Sequence, residues 1–302
     1  MAFSAVFPSF AQIPNVRATD VPTSTQVESR RILVLTSIPA LECFARNVAG
    51  ELEGRRVFVE QFLSSGQDPH HSFDLSPADR LKLGHADLLI INGLKLETWL
   101  PELADESLKA RIVNTSQGLP LDSYGQDSAN VPNPHVWLSP LLASRQVEAI
   151  AEALIKTDPQ FAPQYRRNAD AYKEKLRRLH EEIKSKLESI PAGGRKFVSY
   201  HEAFYYFSRD YGLEQIGSFE ARPGIEPSLS SVADLIRTMK KENITTVFVE
   251  PQLTPKLLRE IAKDYDLKLA PINPMETGKA DRDYYEKALR NDADVFRTNL
   301  TH

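Results

Sequence analysis

The chain has 302 residues, with 37 Lys and Arg against 41 Asp and Glu for a net charge of -4. That length suffices for about two domains of ~150 residues with substantial cores, and the mildly acidic balance supplies no attraction for nucleic acid or an anionic membrane. One cysteine, Cys43, excludes an internal disulfide and reads as a small buried hydrophobe.

Residues 1–29 open on an apolar stretch, Met1 to Gln12, with no Lys or Arg ahead of it, then continue through Pro14, Pro22 and Thr23-Ser24-Thr25. This segment is expected to be a disordered N-terminal tail or a remnant export signal. No stretch is long and apolar enough to span a bilayer, so stable membrane insertion is not expected.

From Arg31 the pattern alternates. Strands are predicted at Arg31–Thr36, Arg56–Phe62, Ala86–Asn92 and Arg111–Thr115, with helices at Leu41–Ala49 and Ser76–Leu83. Short apolar strands alternating with helices imply a mostly parallel sheet covered on both faces.

After Pro140 the pattern is helical, first Leu141–Lys156 and then a segment opened by Asp158-Pro159. In that segment Phe161, Tyr165, Ala169, Tyr172, Leu176, Leu179, Ile183, Leu187 and Ile190 recur every three or four residues, one apolar stripe on one long helix. At 1.5 Å per residue it would be about 45 Å long, the span of two small domains side by side. Pro191-Ala192-Gly193-Gly194 ends it.

A second alternating region follows. Its predicted strands are Phe197–Tyr200, Leu213–Ile216, Thr246–Glu250 and Leu267–Ala270, and its helices Glu202–Tyr211, Ser228–Lys241, Pro255–Tyr265 and Asp283–Thr298. The fold class is therefore α/β: two (β/α) lobes, residues 30–157 and 193–302, with mostly parallel sheets, bridged by one long rigid helix in 158–192. The cleft between the lobes is the expected site.

Three histidines fall where strands deliver their loops to that cleft. His70 follows the second strand in Asp68-Pro69-His70, His135 follows the fourth in Asn133-Pro134-His135, and His201 ends the strand that opens the second half. Neutral imidazole is the commonest protein metal ligand, and three such ligands suit a borderline cation such as zinc. The preceding prolines stiffen two of these loops, which lowers the entropy lost on ligation. Glu250, at the end of an apolar strand, reads equally as an acceptor for an imidazole N–H behind the metal or as the partner in a plain structural hydrogen bond. His85, His180 and His302 are expected to be solvated, His180 within the charged outer face of the long helix.

With these motifs in order, the chain resembles the metal-specific solute-binding proteins of ABC importers, the zinc and manganese group. The resemblance rests on Asp68-Pro69-His70 with Phe73, Asn92-Gly93-Leu94 with Glu97-Thr98-Trp99-Leu100, Asn133-Pro134-His135-Val136-Trp137, His201-Glu202-Ala203-Phe204 through Tyr211-Gly212-Leu213, and Val249-Glu250-Pro251. It implies a periplasmic or extracytoplasmic, monomeric protein that captures a divalent metal and hands it to the transmembrane subunit of an ABC permease. It also places the family's first three ligands on His70, His135 and His201. Imidazole at His201, where manganese binders commonly carry a carboxylate, tilts the choice to Zn2+ over Mn2+ or Fe2+. The family's fourth ligand, usually an aspartate, falls on Asn273 in Pro271-Ile272-Asn273-Pro274-Met275, so water, Glu276 or Asp281 could stand in for it.

Two other classes are compatible with these residues. One is a zinc hydrolase using an open three-histidine site, with Glu202 as base; Tyr205 occupies the slot that the second histidine of a zinc-protease motif would need. The other is an adhesin or non-metal binding protein on the same scaffold. The long helical bridge predicts a small lobe rotation on binding, and no enzymatic chemistry is expected.

Overall fold

A computed structural model of the chain describes residues 30–63, 76–103, 111–121, 132–220, 227–250 and 256–300. The first lobe contains strands β1 (Ile32–Thr36), β2 (Val57–Gln61), β3 (Leu88–Ile91) and β4 (Ile112–Asn114), with helices α1 (Pro39–Ala49), α2 (Pro77–His85) and α3 (Pro140–Thr157). The bridging helix is α4 (Ala162–Glu188), and the second lobe has β5 (Lys196–Ser199), β6 (Glu214–Ser218), β7 (Thr246–Val249) and β8 (Lys268–Pro271) with α5 (Tyr205–Tyr211), α6 (Leu229–Lys241), α7 (Lys256–Asp264) and α8 (Tyr284–Asn299).

Among the described residues each lobe has one four-stranded sheet, ordered β2-β1-β3-β4 in the first and β6-β5-β7-β8 in the second, and every pairing is parallel. The two orders are the same topology used twice. In each, the chain switches direction across the sheet beside the lobe's first strand, which opens a crevice at the carboxyl ends, where ligands collect. β3 and β7 are buried along their whole length, as covered parallel strands must be.

Proline in the first turn opens α1, α2 and α3, where a missing N–H costs nothing. Ser76 and Asp79 close a reciprocal capping box on α2. The bridging helix begins later than expected, because Pro159–Phe161 form a 3-10 turn before Ala162. Its 27 residues span about 40 Å. A buried ion pair holds its approach: the Arg56 guanidinium donates to both Asp158 carboxylate oxygens at 2.6 and 2.7 Å, and the Tyr165 hydroxyl adds a third donor at 3.0 Å.

His180 departs from expectation. It is buried, with its ring 5.3 Å from that of Tyr211. It lies four residues after Leu176 and three before Ile183, both fully buried, so the helical period carries it onto the apolar stripe despite its charged neighbours.

The main apolar core is continuous between the lobes. It runs from β1 and α1 through the inward face of α4 to Phe197, Phe248, Tyr285 and Phe296 of the second lobe. Phe44 makes edge contact with Tyr285 at 4.9 Å and lies 6.1 Å from Tyr172 of α4. Smaller apolar clusters cover the outer faces of the two sheets. No helix among the described residues is long and apolar enough to cross a membrane.

Candidate metal site

The loop after β3 is built to hold the His135 loop. Gly93, Leu94 and Lys95 take positive φ in succession, a turn held by the buried Glu97 carboxylate, which accepts from the Asn92 and Gly93 N–H groups at 2.8 and 2.9 Å and from the Ser37 hydroxyl at 2.7 Å. Burial lifts the Glu97 carboxyl above its usual range against those donors. Gln146 of α3 donates to the Asn92 side-chain oxygen, and the Asn92 amide donates to the Pro134 carbonyl at 2.8 Å. The residue before His135 is thus tied to the carboxyl end of β3.

His201 arrives from the other lobe, two residues beyond β5. The expected helix from Glu202 begins only at Tyr205; residues 201–204 form turns. The Glu202 carboxylate accepts from the Ser218 hydroxyl at 3.4 Å. Glu250 stands at the end of β7 and receives the His201 Nδ1 proton at 2.5 Å.

Three donor atoms meet between the lobes. His135 Nε2 lies 3.1 Å from His201 Nε2 and 2.7 Å from Glu276 Oε1, and all three residues are buried. The hydrogen-bond network fixes the tautomers. Asn133 Oδ1 accepts from both the backbone N–H and Nδ1 of His135, at 2.9 and 2.7 Å, while the Asn133 amide donates to the Glu202 carbonyl at 2.8 Å. With the proton on Nδ1 in both rings, each Nε2 presents a lone pair, and a carboxylate oxygen joins them.

Three acceptors at these separations repel unless a cation stands among them. Tetrahedral ligation with bonds of about 2.0–2.1 Å separates ligand atoms by roughly 3.3 Å, which the 3.1 Å between the two imidazole nitrogens approaches and the 2.7 Å from His135 to Glu276 undercuts. A proton can take the cation's place. Burial alone would pull the His201 imidazole down, but the Glu250 hydrogen bond and the charges of Glu250, Glu276 and Glu220 outweigh it and raise it from 6.5 to about 9.

The sequence-predicted residues are placed as follows. His135 and His201 are brought together, with Glu250 behind His201. His70, with Asp68, Pro69, His71 and Phe73, lies outside the described residues, as do residues 1–29, Pro251 and His302. The Asn273 carboxamide is held in its own loop: Oδ1 accepts from the Met275 N–H at 2.9 Å and Nδ2 donates to the Tyr284 hydroxyl at 3.3 Å. The loop then turns at Met275, with φ of 62°, and delivers Glu276 to the cluster. Asp281 pairs with Lys287 at 3.3 Å on the surface. The carboxylate among the donors thus comes from Glu276, three residues beyond the expected position.

Residues 34–299 match the family model described as ZnuA, the periplasmic component A of a zinc-uptake complex. The chain belongs to the ZnuA family. Members of the ZnuA family are metal-binding solute-binding proteins of ABC uptake systems. One similar relative is the iron-binding protein YfeA of Yersinia pestis, 32% identical over 241 residues that cover 78% of this chain and 75% of YfeA. The zinc-binding lipoprotein AdcA of Streptococcus pneumoniae is 29% identical over 265 residues, 83% of this chain but only 51% of AdcA, so the chain spans about half of that relative. Among solved structures, the solute-binding protein FpvC of Pseudomonas aeruginosa in complex with Mn2+ superposes with a TM-score of 0.78 at 25% identity, covering 90% of this chain and 98% of FpvC. Iron, zinc and manganese therefore all occur among the names of this chain's ZnuA-family relatives and neighbours.

Proposed function

We propose that this protein captures a divalent transition metal, zinc foremost, outside the cytoplasm and delivers it to the transmembrane subunit of an ABC permease. One observation carries the reading: two imidazole lone pairs, each fixed by a hydrogen bond behind its ring, and a carboxylate oxygen converge from both lobes onto one point. His70 is assigned as the third imidazole, on its place in the Asp68-Pro69-His70 loop, and Glu276 as the fourth donor in place of Asn273.

Three nitrogens and one carboxylate oxygen favour zinc over manganese and iron(II), whose affinities for such a set are lower in the series and which accept more oxygen ligands. Four protein donors also close the coordination sphere, the pattern of a site that holds an ion rather than one that activates a bound water. The metal is cargo here. Continuity of the core through Phe44, Tyr172 and Tyr285 supports uptake with a small shift of the lobes.

The test is a thermal melt of metal-stripped protein with zinc, manganese or iron(II) added singly, beside elemental analysis of protein purified without added metal. One zinc per chain is expected, with about 2.7 kcal/mol of stabilisation at a hundredfold excess over Kd. His135→Ala and His201→Ala should each abolish the shift while the protein still folds. A melt unmoved by any of the three metals would overturn the proposal; a shift with manganese but not zinc would overturn the metal assignment.

A further inference from the structure

Asn133 does two things with one carboxamide. Its oxygen accepts both the backbone N–H and the Nδ1 proton of His135, and its nitrogen donates across the cleft to the carbonyl of Glu202, the residue after His201. The side chain is buried. Building on the metal-capture reading, we propose that Asn133 is a positioning residue that couples the orientation of His135 to the closed arrangement of the lobes, and so controls how fast the metal leaves.

The coupling follows from geometry. Parting the lobes at this edge must lengthen the 2.8 Å bond to the Glu202 carbonyl, which pulls on the carboxamide that holds the His135 ring. The Glu202 carbonyl follows directly on His201, so the same displacement draws that ligand from its place beside His135 Nε2. Separation of the lobes and misorientation of a ligand are then one event. Other cross-cleft bonds, such as that from Gln61 to the Gly278 carbonyl, tie the lobes together without touching a metal-facing ring.

Asn133→Asp separates the two roles. The carboxylate still accepts from His135, and its charge makes the imidazole a stronger base, which by itself slows release. The same change puts an oxygen in place of the donor facing the Glu202 carbonyl and so breaks the cross-lobe bond.

The experiment is stopped-flow release of zinc from the loaded full chain into excess chelator. Release about tenfold faster than the parent, with association little changed, is the expected result; equal or slower release overturns the proposal. Should Asn133→Asp not fold, hydrogen exchange of Asn133→Ala at saturating zinc decides. Residues 199–204 should then lose protection, and protection equal to the parent's overturns the coupling. A parent that takes up no zinc, manganese or iron(II) would sink the capture reading itself, a result distinct from either of these.

Discussion

The indole Nε1–H of Trp137 donates to the Pro274 carbonyl at 2.7 Å, joining a residue two positions after His135 to one two positions before Glu276. The Tyr285 hydroxyl completes the junction by donating to the Trp137 carbonyl at 2.6 Å. Both bonds tie the first-lobe loop that carries His135 to the second lobe. Trp137→Phe keeps most of the buried ring and leaves the Pro274 carbonyl without this donor. It should cost about 1–3 kcal/mol in denaturant unfolding of the metal-free protein, and an unchanged midpoint would contradict the junction's role.

Glu276→Gln and Asn273→Ala distinguish the two assignments for the fourth ligand. The first removes the charge from the donor set and should weaken zinc binding at least a hundredfold in competition titration. Asn273→Ala removes only the hydrogen bonds to Met275 and Tyr284, and should weaken it about tenfold, within the range for residues that support a ligand from behind. The reverse order would place the amide on the ion.

Affinity should depend on pH through His201. In the metal-free protein this ring is raised from 6.5 to about 9, so at neutral pH it is protonated and zinc must displace the proton. Zinc affinity should therefore climb about tenfold per pH unit toward 9, with one proton released per ion at pH 7, measurable by calorimetry in buffers of different ionisation enthalpy. The linkage for folding has the opposite sign. A group raised on folding stabilises fully below its unfolded value near 6.5, and that contribution is lost as pH rises through about 9. Metal-stripped protein should consequently lose stability across that window, whereas zinc-loaded protein should not.

Removing one partner of the Arg56–Asp158 pair should destabilise far more than a surface ion pair would. Arg56→Met leaves the Asp158 carboxylate in the interior without its cation, with only the Tyr165 hydroxyl and the Gln160 amide as remaining side-chain donors, and should cost about 3–5 kcal/mol by denaturant unfolding. Combining it with Asp158→Leu should recover much of that loss. Equal stability of the single and double variants would show that the pair does not act as a unit.

The strands were legible because each is a short apolar run bounded by polar or turn residues, and a parallel strand buried on both faces leaves that mark. Ile32–Thr36 and Thr246–Val249 fall within a residue or so of their predicted limits. His180 is legible too, because its spacing to Leu176 and Ile183 places it on the buried stripe and outweighs the charges around it. Glu276 is legible only as one of three stand-ins, beside water and Asp281. Its arrival depends on the positive φ of Met275, a conformation that residue type does not announce. The late start of α5 has a similar origin, since the turns at residues 201–204 leave the Glu202 carbonyl available to the opposite lobe.

The unbroken packing of Phe44 against Tyr172 and Tyr285 bears on how such a molecule can be altered. Two matching sheets invite treatment as exchangeable modules, yet the surface between them is interior rather than interface. Severing the chain at the bridging helix would lay bare aromatic rings on both fragments and leave each in need of the other. A transplanted half would have to bring its share of that seam with it, so specificity is more readily remodelled at the loop tips than by shuffling whole lobes.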